Sequence, residues 1–174
     1  HSIRRNASGA ILILEGGAAL TLTDCKGSGV IRHVENPYIP GERPSGYGVL
    51  VEDGSFTMYG GTITWNKHHG VSIGSGTTFA MYGGEISDNS NGGVEINGGT
   101  FTMQDGTIRA NSGSGVYVGG GTFTMRGGTI GGSADGDANT AEKGGGVYVG
   151  GGIFMMRGGK ICGNSATQSG GGVY

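Results

Sequence analysis

Residues 115–130 read GVYVGGGTFTMRGGTI, and this stretch is one copy of a unit that recurs along the chain. Earlier copies start at Gly48 (GVLV, then FTMYGGTI to Ile63), Gly70 (GVSI, then FAMYGGEI to Ile86) and Gly93 (GVEI, then FTMQDGTI to Ile108). A later copy starts at Gly146 (GVYV, then FMMRGGKI to Ile161), and Gly172-Val173-Tyr174 begins another. A repeat of about 22 residues marks a solenoid in which each copy is one rung.

Within a rung the apolar residues alternate. Val116 and Val118 flank Tyr117, and Phe123 and Met125 flank Thr124. Period two is the strand signal, whereas helical spacing is absent and glycine is too frequent for helix interiors. Each rung reads as three short strands, Val-x-Val, Phe-x-Met and x-Ile, with glycine at the corners. Parallel strands joined by crossovers are right-handed almost without exception. The expected fold is therefore all-β: a right-handed, single-stranded parallel β-helix.

Stacking puts like residues on like. The inward columns are Val49/71/94/116/147, Val51/Ile73/Ile96/Val118/Val149, Phe56/79/101/123/154, Met58/81/103/125/156 and Ile63/86/108/130/161. Three residues after Ile comes Asn: Asn66, Asn89, Asn111 and Asn164. An inward Asn column forms a ladder that bonds neighbouring amides. After Ile130 the direct register gives Ser133, and the alternative is that an insertion brings Asn139 into the slot.

One elongated domain, 1–174, is expected. Residues 1–31 form a degenerate first rung, 32–47 a loop holding Pro37, Pro40 and Pro44, and 48–174 the regular rungs. The chain opens at His1 and stops within a strand motif at Tyr174, so it reads as a segment of a longer protein whose flanking rungs are its first partners. The net charge of −2 points away from nucleic acid, and no apolar run approaches a membrane span. Cys25 and Cys162 lie about five rungs apart, beyond disulfide reach, and are expected to be unpaired. The spacing widens from Gly115 to Gly146 and from Gly146 to Gly172, at the same corner. Both expansions, 131–145 and 165–171, should stack as adjacent loops.

Several outward features invite a function. Tyr59, Tyr82, Trp65, His68, His69 and Asp88, with Glu85, would form an aromatic and polar shelf for a sugar; ordinary outward stacking is the plainer reading. Asp135-Gly136-Asp137-Ala138-Asn139 alternates oxygen ligands and would suit Ca²⁺, but the EF-hand glycine and glutamate are missing; otherwise it is a solvated loop, and no other cofactor is expected. Thr100/Thr102 and Thr122/Thr124 resemble an ice-binding array, broken by Thr78/Ala80 and Ile153/Met155. Tyr117, Tyr148 and Tyr174 share an outward column with Leu50, Ser72 and Glu95, where a partner or simple stacking would account for them.

The elements GGGVYV (144–149) and GTFTMRGGTI (121–130) resemble the repeats of bacterial pectin-lyase-fold surface proteins. The pairing of Gly-Gly-Val with Ile-x-x-Asn is also similar to repeats of polymorphic outer-membrane autotransporters, with Ile standing where that family has Phe. The resemblance implies a secreted or wall-attached protein at the bacterial cell surface. The same fold hosts pectate lyases and polygalacturonases, but the Asp-Asp element of the latter is absent. His69-Gly70 and Arg157-x-x-Lys160 fall about four rungs apart, and Glu52, Glu95 and Asp105 read as scattered. The sequence thus reads as a non-catalytic extracellular stalk or adhesin-like segment, with glycans or host and cell-surface proteins as candidate partners. The alternative is a carbohydrate-binding or polysaccharide-degrading β-helix, and ice binding comes third.

Overall fold

The computed structural model describes residues 8–24, 28–34 and 44–174, together with the backbone of the strand Ser2–Arg5. The Ile strands form one seven-stranded parallel sheet, in the order Ser2–Arg5, Val30–His33, Thr62–Thr64, Glu85–Ser87, Thr107–Arg109, Thr129–Gly131 and Lys160–Cys162. The Val-x-Val and Phe-x-Met strands occupy the other two faces. In the Gly93 and Gly115 rungs they run together as ten-residue strands, Val94–Met103 and Val116–Met125, with a register irregularity at the corner. Every pairing is parallel and one rung apart, as a solenoid requires.

The register confirms the inward columns. Val94 pairs with Val71 and Val116, and Phe101 with Phe79 and Phe123. The phenylalanine rings stack from Phe56 to Phe154 at centroid distances of 4.6–5.0 Å. Leu14, Leu20 and Leu22 extend the columns into the degenerate rung, pairing with Val51, Phe56 and Met58. In the Gly146 rung the same inward set is less covered: Phe154 and Ile161 are half-buried and Met156 is 49% exposed.

Each rung's leading glycine packs against this core. A Cβ on Gly70 would stand 2.6 Å from Ile86 Cγ2 and 2.9 Å from Asn89 Nδ2, which is closer than side chains tolerate. The glycine therefore lets the backbone lie directly on the isoleucine and asparagine columns.

Those asparagines form a ladder, Asn66, Asn89, Asn111, Asn139 and Asn164, of which the first four are buried and Asn164 half-buried. Each Nδ2 donates to the Oδ1 of the next, at 2.8, 3.0, 2.8 and 2.8 Å. Each main-chain N–H donates to that same oxygen. Asn139 fills the slot after Ile130, and Ser133, the direct-register candidate, is exposed. The insertion loops out and returns so that Thr140 N–H donates to the Asn111 carbonyl. The two widened corners do stack, and they do so as paired strands rather than loops: Thr140–Lys143 lies parallel to Ser165–Ser169.

The segment after Ile31 departs from expectation. Arg32 and His33 belong to a strand, Val30–His33, rather than to a loop, and His33 is buried. Pro44 is also buried. Cys25 and residues 35–43, with Pro37 and Pro40, lie outside the described residues. Cys162 is a free, exposed thiol.

Candidate functional site

The outward column Ser72, Glu95, Tyr117, Tyr148 follows from strand register, since all four pair in turn across the Val-x-Val face. His69 ends the preceding corner and turns onto this face beside Glu95. Together His69, Asn91, Glu95, Ser114 and Tyr117 line a cavity of about 340 Å³, within the range of small-ligand sites. Tyr47 flanks it, its ring stacked on His69 at 6.3 Å and edge-on to His68 at 5.1 Å.

Glu95 is the centre of this cluster. Its Oε2 accepts a 2.8 Å hydrogen bond from Ser72 Oγ and lies 3.8 Å from His69 Nδ1. That second distance is too long for a hydrogen bond, and buried His69 Nδ1 has no hydrogen-bond partner among the described residues. Burial holds the His69 imidazole below the usual histidine range. The Glu95 charge pulls the other way, and His68 adds to the lowering. Burial thus opposes formation of an ion pair between the His69 ring and Glu95. Burial, then the Glu95 charge, raises the Tyr47 hydroxyl above its usual value.

A second cavity of about 250 Å³ adjoins the first through Ser114 and is otherwise lined by Ala141, Glu142, Lys143 and Tyr148. The Thr140–Lys143 strand supplies its far wall. Tyr117, Tyr148 and Tyr174 stack face to face with centroids 5.4 Å apart, and Lys143 Nζ meets the Tyr174 hydroxyl at 3.1 Å. Ring edges and hydroxyls, rather than open faces, therefore point outward.

The expected shelf is divided. Tyr59 and Tyr82 do stack, at 4.8 Å, and both are exposed. Trp65 stands at the opposite end of its Ile strand, with Arg32 over its ring at 5.9 Å. Asp88 occupies the same corner one rung on; both have positive φ, 63° and 54°. His68 and His69 turn away to the Tyr47 cluster, where Ser45 Oγ and His68 Nε2 are 2.9 Å apart. Of the six shelf residues, only His69 lines the cavity. Glu95, which the sequence reading left as an isolated acid, belongs with it instead.

The Asp135, Asp137 and Asn139 oxygens also diverge. Asn139 is fully buried in the ladder, Asp137 Oδ1 accepts from Arg109 at 3.1 Å, and Asp135 is exposed. Among the described residues, no group of three His, Cys, Asp or Glu side chains is arranged to hold a metal. The threonine array is likewise interrupted: Thr124 is buried, and Ala80, Ile153 and Met155 occupy other positions of the two columns.

A family model for the right-handed beta helix region matches residues 8–174, almost the whole chain. The chain belongs to this family. The ladder and parallel rungs of this β-helix are the structural form of that match. Searches of curated proteins and of solved structures returned no match. No helix among the described residues is long and apolar enough to cross a membrane.

Proposed function

We propose that this β-helix binds carbohydrate in the cleft bounded by His69, Asn91, Glu95, Ser114 and Tyr117. The observation that carries the proposal is the composition of that cavity. It offers an amide, a carboxylate, a serine hydroxyl and a tyrosine edge converging on about 340 Å³. A sugar presents many hydroxyls over a small apolar ring, and such mixed donors and acceptors are what its recognition requires.

We favour binding without cleavage. Inverting glycoside hydrolysis needs two carboxyl groups roughly 6.5–9.5 Å apart. The lining residues supply one, Glu95. In this reading the solenoid is a stalk that presents the cleft, and the protein works outside the cell as an adhesive module at a bacterial surface.

The test is a glycan array on wild-type protein and on Asn91→Ala and Tyr117→Phe, beside Trp65→Ala. Binding that is weakened by the cleft variants and kept in Trp65→Ala supports the proposal. Binding lost in Trp65→Ala alone would return the site to the Tyr59–Trp65 side. A blank array would refute sugar recognition.

A further inference from the structure

Resting on that reading, we infer that the cleft selects glycans carrying a free amino group, and that Glu95 is the residue that does so. Glu95 is the only formally charged residue of the five that line the cavity. Its side chain is 17% exposed, so it is largely withdrawn from water but still open to the cleft.

Its neighbours hold it in place without neutralising it. Ser72 Oγ donates to Oε2, His69 Nδ1 lies 3.8 Å away, beyond hydrogen-bond reach, and burial disfavours a charge on that ring. Tyr47 adds an apolar ring and a hydroxyl that stays protonated. The adjoining cavity holds a cation, Lys143, which is engaged with the Tyr174 hydroxyl and ring. A partly desolvated carboxylate with no described cation of its own attracts a positive group more strongly than an exposed one does. It also repels a uronate carboxylate, so the cleft disfavours acidic polysaccharides. An ammonium on a pyranose ring supplies both the charge and donors for Glu95. The ring hydroxyls then meet Asn91, Ser114 and Tyr117.

The experiment compares three probes by calorimetry: a tetramer of glucosamine, the same tetramer fully N-acetylated, and a tetramer of galacturonate. Each is titrated into wild type, Glu95→Gln and Glu52→Gln. Glu52 is exposed and outside the cleft, so its variant removes one charge without touching the site. The amide in Glu95→Gln retains an acceptor for Ser72, and circular dichroism checks the fold.

The expected result has the glucosamine tetramer binding about tenfold tighter than its acetylated form at low salt. Glu95→Gln should remove that preference, added salt should weaken it, and Glu52→Gln should leave it intact. Equal binding of the two tetramers, a preference for galacturonate, or a preference that survives Glu95→Gln would each overturn the inference while leaving sugar binding in place. If none of the three probes binds and the glycan array is also blank, the carbohydrate reading itself falls.

Discussion

His33 Nδ1 lies 2.9 Å from Asn66 Oδ1, and this contact ends the asparagine ladder. The ladder has a direction fixed by the backbone. Nδ2 of Asn111, Asn139 and Asn164 also donates to the carbonyl of Ile86, Ile108 and Ile130. Every amide oxygen therefore points toward the first rung, and the last of them, on Asn66, meets His33. The other ring nitrogen, Nε2, lies 3.0 Å from the Gly9 carbonyl oxygen. His33 thus stands between two acceptors in a site only 1% exposed.

Replacing His33 with Leu removes the ring N–H that one of these two buried oxygens accepts, and the expected cost is about 1–3 kcal/mol. His33→Gln restores a pair of N–H donors and should recover much of the loss. Urea denaturation of both variants measures the difference. Equal stability of the Leu and Gln variants would show that the ring contributes by packing alone.

The residue before three of the ladder asparagines has positive φ without being glycine: Trp65, Asp88 and Ala110. Gly163 holds the same place before Asn164, at φ 65°. A left-handed L-residue costs roughly 1–2 kcal/mol, part of which glycine gives back through the unfolded chain. Ala110→Gly should therefore stabilise the protein by about 0.5–1 kcal/mol in thermal or urea unfolding. A destabilised variant would mean that the Ala110 methyl packs better than its backbone suffers.

His69 predicts how stability follows pH. Burial depresses its folded value below the ordinary 6.5. A depressed histidine contributes stability that is fully present above about 6.5 and is lost as pH falls through the folded value, because the unfolded chain takes the proton first. His69→Gln should flatten that acid-side decline, read as the slope of melting temperature between neutral and mildly acidic pH. An unchanged slope would place the proton uptake on other groups.

Arg109 joins Glu85 at 3.0 Å and Asp137 at 3.1 Å, tying the inserted corner to the Ile sheet. Burial opposes its charge, but Glu85, Asp137 and Asp88 outweigh it and hold the guanidinium above the usual arginine range. The side chain is 35% exposed, so Arg109→Met should cost less than about 1 kcal/mol globally. Limited proteolysis should nevertheless cut residues 131–138 faster, since that segment loses its anchor. A global loss of several kcal/mol would contradict this division.

Much of the fold can be read from periodicity, because a solenoid repeats one local solution. Val116, Phe123, Met125 and Ile130 each recur at fixed offsets, so their columns and neighbours follow directly. The ladder was legible where Asn follows Ile by three, as at Asn66 and Asn89. It was obscured at Asn139 by the insertion and at His33 because the residue sits two, not three, after Ile31. The cleft was harder. Its column of Ser72, Glu95 and Tyr117 follows from register, but a corner decides its key neighbour. His69 follows His68 in sequence and only the backbone turn between them sends its ring to Glu95. Trp65, four residues before His69, leaves in another direction, with its backbone at the left-handed φ of 63°.

The most direct measurement is an amide NMR titration with the strongest ligand from the glycan array. The account predicts shifts confined to the cleft, centred on Asn91, Glu95, Ser114 and Tyr117, and abolished or sharply weakened in Tyr117→Ala. Shifts centred on Tyr59, Tyr82 or Trp65, with the cleft silent, would contradict it.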